Sequence, residues 1–393
     1  MLGKDLIMQT LLGGGSSGGG SSGGGGGSAA VSPKEVNFYD YDGTCVHAYT
    51  VAEAQALSEL PAGPEHPGLV FQGWNWSLEG VKGLTRAMNI GAMYTTDDGT
   101  TRLYITLQEG RTSPMLGVCV NGTVTVDWGD GTEPDVLTGT SLYTVVWTPN
   151  HNYAAPGDYV IRLTVTGSMR LYGSSNSRQY AYILRYSSGA DDRNQVYQNA
   201  LRRVEIGDNA KIGSYAFDHC KSLTDITIPN GVISIDNYVF RDCMNLYAII
   251  IPDSVTSIGS YAFSGDECLG VVVISNGVEN IGDQALCDCV TLFTMTIPYS
   301  VKKISSYAAS GCKSLTTVAF PDGVQFNGGY VFSNCTGMAY YDFTHFTAVP
   351  AIVDINVFGG IPADCEIRVP AALYDEWIAA TNWATYASYI KAY

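Results

Sequence analysis

Basic residues are scarce in this chain: 21 Lys and Arg stand against 37 Asp and Glu, which leaves a formal net charge of −16. No Lys/Arg cluster exists to displace the counterions of a phosphate backbone, so nucleic acid is not expected as a partner. An acidic surface likewise offers no attraction to anionic lipid. Long apolar runs are missing too. None approaches the roughly 18 residues that a membrane helix needs, so no membrane insertion is expected. Histidine is rare, and the five present (His47, His66, His151, His219 and His345) are scattered without a His-x-x-x-His or Ser/His/Asp grouping. The acid pairs Asp97-Asp98 and Asp191-Asp192 sit in polar, turn-like contexts that suit solvated turns better than acid–base work. The chain therefore reads as no enzyme, with no catalytic residue, metal site or cofactor. Low charge does not mean disorder here, because 46% of the residues are hydrophobic and 26 are tyrosine.

What is present divides into segments. Residues 1–12 carry Lys4 and an apolar cluster of Leu6, Ile7, Met8, Leu11 and Leu12. Gln9 and Thr10 break that cluster, and it runs into glycine instead of a small-residue cleavage site, so it reads as a docking segment and not as a secretion signal. Gly13 to Ser28 are all glycine or serine. Such a tract, natural or artificial, is a flexible tether spanning on the order of 20 Å. With the few residues that follow, it fills residues 13–32.

Residues 33–88 run strand, strand, helix, strand: Val36 to Thr44 with an Asp-Gly turn, helix formers from Val51 to Leu60, then Leu69-Val70-Phe71 into Gly73-Trp74. Asp42-Gly43-Thr44 and Gly73-Trp74 resemble the β-grasp-like repeats of bacterial surface proteins of the Listeria–Bacteroides repeat type. Residues 89–170 read as short strands and turns, for which a β-sandwich is the simplest closure. Val126-Asp127-Trp128-Gly129-Asp130-Gly131-Thr132, followed by His151-Asn152-Tyr153 and Pro156-Gly157, resembles a PKD-type immunoglobulin-like domain. Asp127, Asp130 and Asp135 are the carboxylates from which a calcium site would be drawn, but no full EF-type loop surrounds them.

The clearest signal is an internal repeat. Ile212, Ile235, Ile258, Ile281 and Ile304 are 23 residues apart, and Leu223, Leu246, Leu269, Leu292 and Leu315 keep the same register. One unit reads Ile-Gly-x-Tyr-Ala-Phe-x-x-Cys-x-x-Leu-x-x-Ile-x-Ile-Pro-x-x-Val. Its apolar positions can be buried only by stacking coils, so these residues form a repeat core. The pattern resembles the leucine-rich repeats of BspA-type proteins over residues 201–339, after a connector at 171–200. Residues 340–393, with Trp377 and Trp383, read as a helical C-terminal cap. Cys220, Cys243, Cys289, Cys312 and Cys335 form a further column, expected to be reduced core fillers among ten cysteines at low density.

The fold class expected is thus mainly β and modular: a β-grasp-like module, a PKD-type β-sandwich and a leucine-rich solenoid. Exposed tyrosines Tyr197, Tyr247, Tyr299 and Tyr330 are the ligand-binding candidates. The order of peg, tether, β-modules and solenoid tip resembles the host-recognition fibre proteins of phages and prophages. That resemblance implies a virion location, other virion proteins as partners of residues 1–12, a host-surface glycan or protein as ligand, and a homo-oligomer, a trimer by analogy. A bacterial cell-surface adhesin of the BspA type, or a purely structural virion component, is the alternative.

Overall fold

The computed structural model describes residues 30–172, 183–185 and 199–393. Leu6, Ile7, Met8, Leu11 and Leu12, read from sequence as a docking segment, and the glycine and serine tract 13–28 lie outside them.

The first module is a four-stranded mixed sheet. Its strands are β1 (Val36–Tyr39), β2 (Cys45–Tyr49), β3 (Leu69–Trp74) and β4 (Met88–Thr96), in the order β2-β1-β4-β3, with β1 and β4 parallel at the centre. The β1–β2 turn is pinned where the Thr44 amide donates to the Asp42 carboxylate at 2.8 Å and Gly43 takes φ +86°. Helix α1 (Val51–Gln55) starts on a reciprocal capping box of Thr50 and Glu53, and α2 (Leu78–Lys82) on Ser77. Both pack over a core that includes Phe38, Trp74, Trp76, Ile90 and Tyr94. The sheet is complete only with β4, so this module runs to residue 96, beyond the boundary at 88 read from sequence.

The next strands are β5 (Thr101–Leu107), β6 (Met115–Asp127), β7 (Asp135–Trp147), β8 (Gly157–Leu171), β9 (Leu184–Arg185), β10 (Leu201–Glu205), β11 (Ala210–Ile212) and β12 (Asp225–Thr227). They do not stand apart from the solenoid. One sheet runs β12-β10-β5-β8-β6-β7, with β11 also on β8 and β9 on β6. Its buried side chains, from Leu103 and Val126 onward, belong to the same apolar core as the repeats. A line of glycines crosses the three long strands, Gly139 facing Gly122 and Gly122 facing Gly167. Gly122 and Gly167 take φ +124° and +103°, and a Cβ at Gly122 would stand 2.1 Å from the Thr166 carbonyl oxygen. Only glycine permits strands to turn and approach so closely.

The Asp-Trp-Gly-Asp-Gly-Thr signature makes a structural staple. Trp128 stacks on His151 at 4.5 Å, and the His151 ring nitrogen Nε2 lies 2.8 Å from the Asp130 carboxylate. The Tyr153 hydroxyl donates to the Trp128 carbonyl at 2.9 Å, and the Trp128 indole N–H donates to Asp135 at 2.8 Å. Hydrogen bonds from Thr132 and His151 together outweigh the effect of burial and hold the Asp130 carboxyl below its ordinary range. Asp127 accepts the Gly129 amide at 2.9 Å, so all three carboxylates, Asp127, Asp130 and Asp135, have partners within the chain.

The solenoid has two parallel ladders. One holds the short strands Ala248–Ile250, Val271–Val273 and Thr294–Met295, continued by Thr317–Ala319, Tyr340–Asp342, Glu366–Val369 and Ile390–Ala392. The other holds Ser257–Ile258, Asn280–Ile281, Lys303–Ser305 and Gln325–Asn327. The isoleucine and leucine columns, Ile212 to Ile304 and Leu223 to Leu315, all lie in the core. Beyond Met338 the 23-residue period lapses but rungs continue, closed by helix α3 (Tyr374–Ala379) and the buried Trp377 and Trp383.

All ten cysteines are free thiols and only Cys268 is exposed. The column residues do more than fill space. Cys243, Cys289, Cys312 and Cys335 donate their S–H to the carbonyls of Phe217, Phe263, Leu286 and Ala309 in the preceding coil, at 3.1–3.3 Å. Burial pushes their thiol pKa values up, so they stay protonated and unreactive.

Asp266 occupies this column between Cys243 and Cys289. It is fully buried, its Oδ1 accepts the Cys243 amide at 2.7 Å, and its Oδ2 has no partner among the described residues. Burial raises its pKa well above the ordinary carboxyl range. Because the folded pKa is raised, its favourable contribution is present below the unfolded value of about 4 and is lost as pH climbs toward the folded value. Asp266→Cys should therefore gain about 1–3 kcal/mol in urea denaturation at pH 8 and distinctly less at pH 4. An equal or absent gain at the two pH values would contradict this reading. Gly122→Val should lose more than about 3 kcal/mol in the same assay, since it combines strain and a backbone clash.

Candidate binding surface

The outward side chains of the first ladder are apolar: Ala248, Ile250, Val271 and Val273. They are not exposed, because the N-terminal module lies on them. Tyr39 and Cys45 join those four residues in a separate buried cluster, flanked by Ala48, Tyr247 and Phe293. The approach is close. A Cβ at Gly91 would fall 2.2 Å from Ile250 Cγ2, and one at Gly43 would fall 2.8 Å from the Ala248 Cβ.

Polar groups fix the seating. The Asn75 side-chain amide donates to the Ile251 carbonyl at 3.1 Å, and Asn89 Nδ2 donates to Thr294 Oγ1 at 2.8 Å. Arg86, buried, donates to the carbonyls of Ala319, at 2.9 Å, and Ile297. Its guanidinium lies 4.8 Å from the centre of the Tyr299 ring, and the Thr85 amide donates to the Tyr299 hydroxyl.

One tyrosine read from sequence as a ligand-binding candidate, Tyr247, is thereby corrected, and a second, Tyr299, is partly engaged. Tyr247 packs against Gly43 and serves this internal interface, whereas Tyr299 touches Thr85, Arg86 and Trp76 and is still 36% exposed. Tyr197 lies outside the described residues. Tyr330 remains, at 38% exposure.

Tyr330 is one rung of a surface that the sequence reading missed. Tyr215, Tyr238 and Tyr261 stack with ring centroids 4.7 Å apart and planes within 7° of parallel. Gln284 takes the next rung, its side-chain amide donating to the Tyr261 hydroxyl. Tyr307 and Tyr330 then stack at 4.9 Å. All six rungs adopt left-handed backbone, with φ between 53° and 60°.

Four residues further along each coil a second left-handed column holds His219, Asp242, Gly265, Asp288, Gly311 and Asn334. Apart from His219, these are Gly, Asp and Asn, and all of these types accept that conformation. Tyrosine does not do so readily, at a disadvantage of roughly 1–2 kcal/mol per residue, offset by about 0.5–1.5 kcal/mol of ring stacking. The first column thus retains tyrosine for its side chain, against its backbone preference. The signal was available as the 23-residue spacing of Tyr215, Tyr238, Tyr261, Tyr307 and Tyr330.

The ladder is rimmed by charge. Arg241 makes a two-pronged pair with Asp218 at 2.8 and 2.9 Å and lies 4.8 Å from the centre of the Tyr238 ring. Among the described residues no three His, Cys, Asp or Glu side chains are placed to hold a metal ion. No helix among them is long and apolar enough to cross a membrane.

Residues 210–339 match the family model for the BspA type leucine rich repeat region, in six copies. The chain therefore carries a BspA-type leucine-rich repeat region. A T. pallidum leucine rich repeat protein is 31% identical, over 36% of this chain and 66% of its own, just under two thirds of its length, with a TM-score of 0.32. A leucine-rich repeat protein from Bacteroides ovatus is 18% identical over 50% of this chain and 68% of its own, with a TM-score of 0.32. A leucine rich cell surface protein from Faecalibacterium prausnitzii is 25% identical over 44% and 68%, with a TM-score of 0.25. No curated protein matches the chain.

Gly91→Val should unseat the N-terminal module while the distant coils keep their packing. Limited proteolysis is expected to cut between residues 96 and 101 in the variant and not in the parent chain, with a stability loss of about 1–3 kcal/mol. Identical cleavage patterns would contradict the docked arrangement.

Proposed function

We propose that the chain is a non-enzymatic recognition protein, displayed on a virion or a bacterial cell surface, that contacts a host-surface glycan or protein through the tyrosine ladder. One observation carries this reading: the chain's own module occupies the strand face of the solenoid, while the stacked ladder leaves Tyr307 and Tyr330 exposed and Tyr215, Tyr238 and Tyr261 half-exposed. Tyrosine suits such contacts, because its ring supplies a large amphipathic area with few rotatable bonds and its hydroxyl supplies a hydrogen bond.

The apolar residues 1–12 followed by a glycine and serine tether support attachment of the chain by its N-terminus to a larger particle. The BspA-type repeat region supports the second setting, a bacterial cell-surface adhesin. Immunogold labelling of purified particles and of intact producing cells separates the two.

Labelled full-length chain should bind at least one strain in a panel of candidate host cells by flow cytometry. The double variant Tyr307→Phe with Tyr330→Phe keeps the stack and removes two hydroxyls. It should lower that binding at least fivefold with the melting temperature within about 2 °C of the parent. Binding to no strain, or undiminished binding by the double variant, would overturn the ladder's role.

A further inference from the structure

A second polar site lies where the creased sheet meets the first two coils, beside the first rungs of the ladder. Strand β7 pairs regularly with β6 except at one place: Val120 faces Ser141 while Cys119 faces Val145. Leu142, Tyr143 and Thr144 are therefore extra residues, bulged out of the strand. Bulges re-aim side chains, and this one holds Tyr143 out at 84% exposure, beside a cleft of about 210 Å³ lined by Tyr143, Arg170, Lys211, Ile233, Ser234 and Asp236.

The lining departs from the repeat at the positions that matter. The equivalents of Ile233 in later coils are the exposed polar residues Thr256, Glu279 and Lys302, yet Ile233 is apolar and 63% exposed. The equivalents of Asp236 are glycine at 213, 259 and 282. Asp236 instead accepts Arg170 Nη2 at 2.6 Å on one oxygen and the Ser234 hydroxyl at 2.8 Å on the other. Gly213 leaves the room that Arg170 uses, since a Cβ there would stand 2.5 Å from the guanidinium Nε. The guanidinium sits 5.5 Å from the centre of the Tyr143 ring and 5.4 Å from that of Tyr172. Lys211 is exposed and makes no ion pair among the described residues, in a chain of net charge −16.

We propose that this cleft binds the terminal carboxylated sugar of a glycan, with the pyranose face on Tyr143 and Ile233 and the carboxylate on Lys211. The cleft's role rests on the recognition function proposed for the chain and gives that function a ligand class. The volume suits one small ring and falls below the range typical of drug-sized ligands. An exposed aromatic face takes the apolar C–H side of a pyranose. The free lone pairs of Asp236 and the Ser234 hydroxyl suit neighbouring sugar hydroxyls, and an unpaired lysine suits a carboxylate. An acidic peptide is disfavoured, because the bulge interrupts the β7 edge that an added strand would need.

The test is isothermal titration calorimetry of the full chain with three probes: a sialic-acid-terminated trisaccharide, a glucuronic-acid-terminated disaccharide and neutral lactose. At least one carboxylated probe should bind tenfold or more tighter than lactose. Tyr143→Ala, a change at an exposed site, should weaken that probe at least tenfold. Lys211→Gln should bring it to the lactose level, and Tyr330→Phe should leave it unchanged. No saturable binding of either carboxylated probe, or equal binding by Tyr143→Ala, would overturn the proposal. Tyr143-dependent binding of oligo-glutamate with no sugar binding would overturn its ligand class. Cell binding that survives Tyr143→Ala alongside absent sugar binding sinks the cleft and leaves the recognition reading standing. Sugar binding in the cleft without any cell binding does the reverse.

Discussion

A stack of 23-residue coils cannot bury its own ends. Each coil contributes one isoleucine and one leucine to columns that run through a shared interior, and every rung is satisfied only by the rung beside it. The rest of the molecule answers that constraint. At the N-terminal end β10 pairs with β5 and β11 with the last residues of β8, so two neighbouring strands of the creased sheet supply a first partner for each ladder. At the other end the rungs Glu366–Val369 and Ile390–Ala392 and the contacts of Trp377 with Phe343 and Trp383 close the interior.

The same stacking that buries the interior multiplies whatever stands outside it. A tyrosine at one position becomes a ladder of tyrosines, a thiol becomes a column of S–H donors, and apolar residues on the outer side of the first ladder become a greasy face that must be covered. The N-terminal module covers it, with Gly43 and Gly91 giving the closeness and Asn75, Asn89 and Arg86 the register. The module and the solenoid thereby form one body, with the ladder left as the open regular surface.

Much of this was legible in the residues. The period and its core columns, Ile212 to Ile304 and Leu223 to Leu315, follow directly from stacking. The strand–strand–helix–strand order of the first module follows from local turn and capping chemistry. What was not legible depends on contacts far apart in sequence. Nothing local to Val36–Thr96 says that it seats on coils more than 150 residues away, so Tyr247 passed for surface. A hint existed: Ala248-Ile249-Ile250-Ile251 and Val271-Val272-Val273-Ile274 are apolar without alternation, the mark of strands covered on both faces. The glycine crease at residues 122, 139 and 167 was hidden for the same reason, because the three glycines are neighbours only once the strands pair. Asp266 was visible as a gap in the cysteine column, but its burial without a second partner was not.

In the function proposed above the module stays on the strand face while the solenoid recognises its ligand elsewhere, and locking the two together tests that most directly. A chain with Gly43→Cys and Ala248→Cys brings two Cβ atoms to within about 1 Å of disulfide spacing, and its binding to a responsive strain can be measured before and after reduction. Equal binding in the locked and released states is the expected result. Binding that vanishes on locking and returns on reduction would mean that the strand face must open to work, and that the module is a lid instead of a fixed cover.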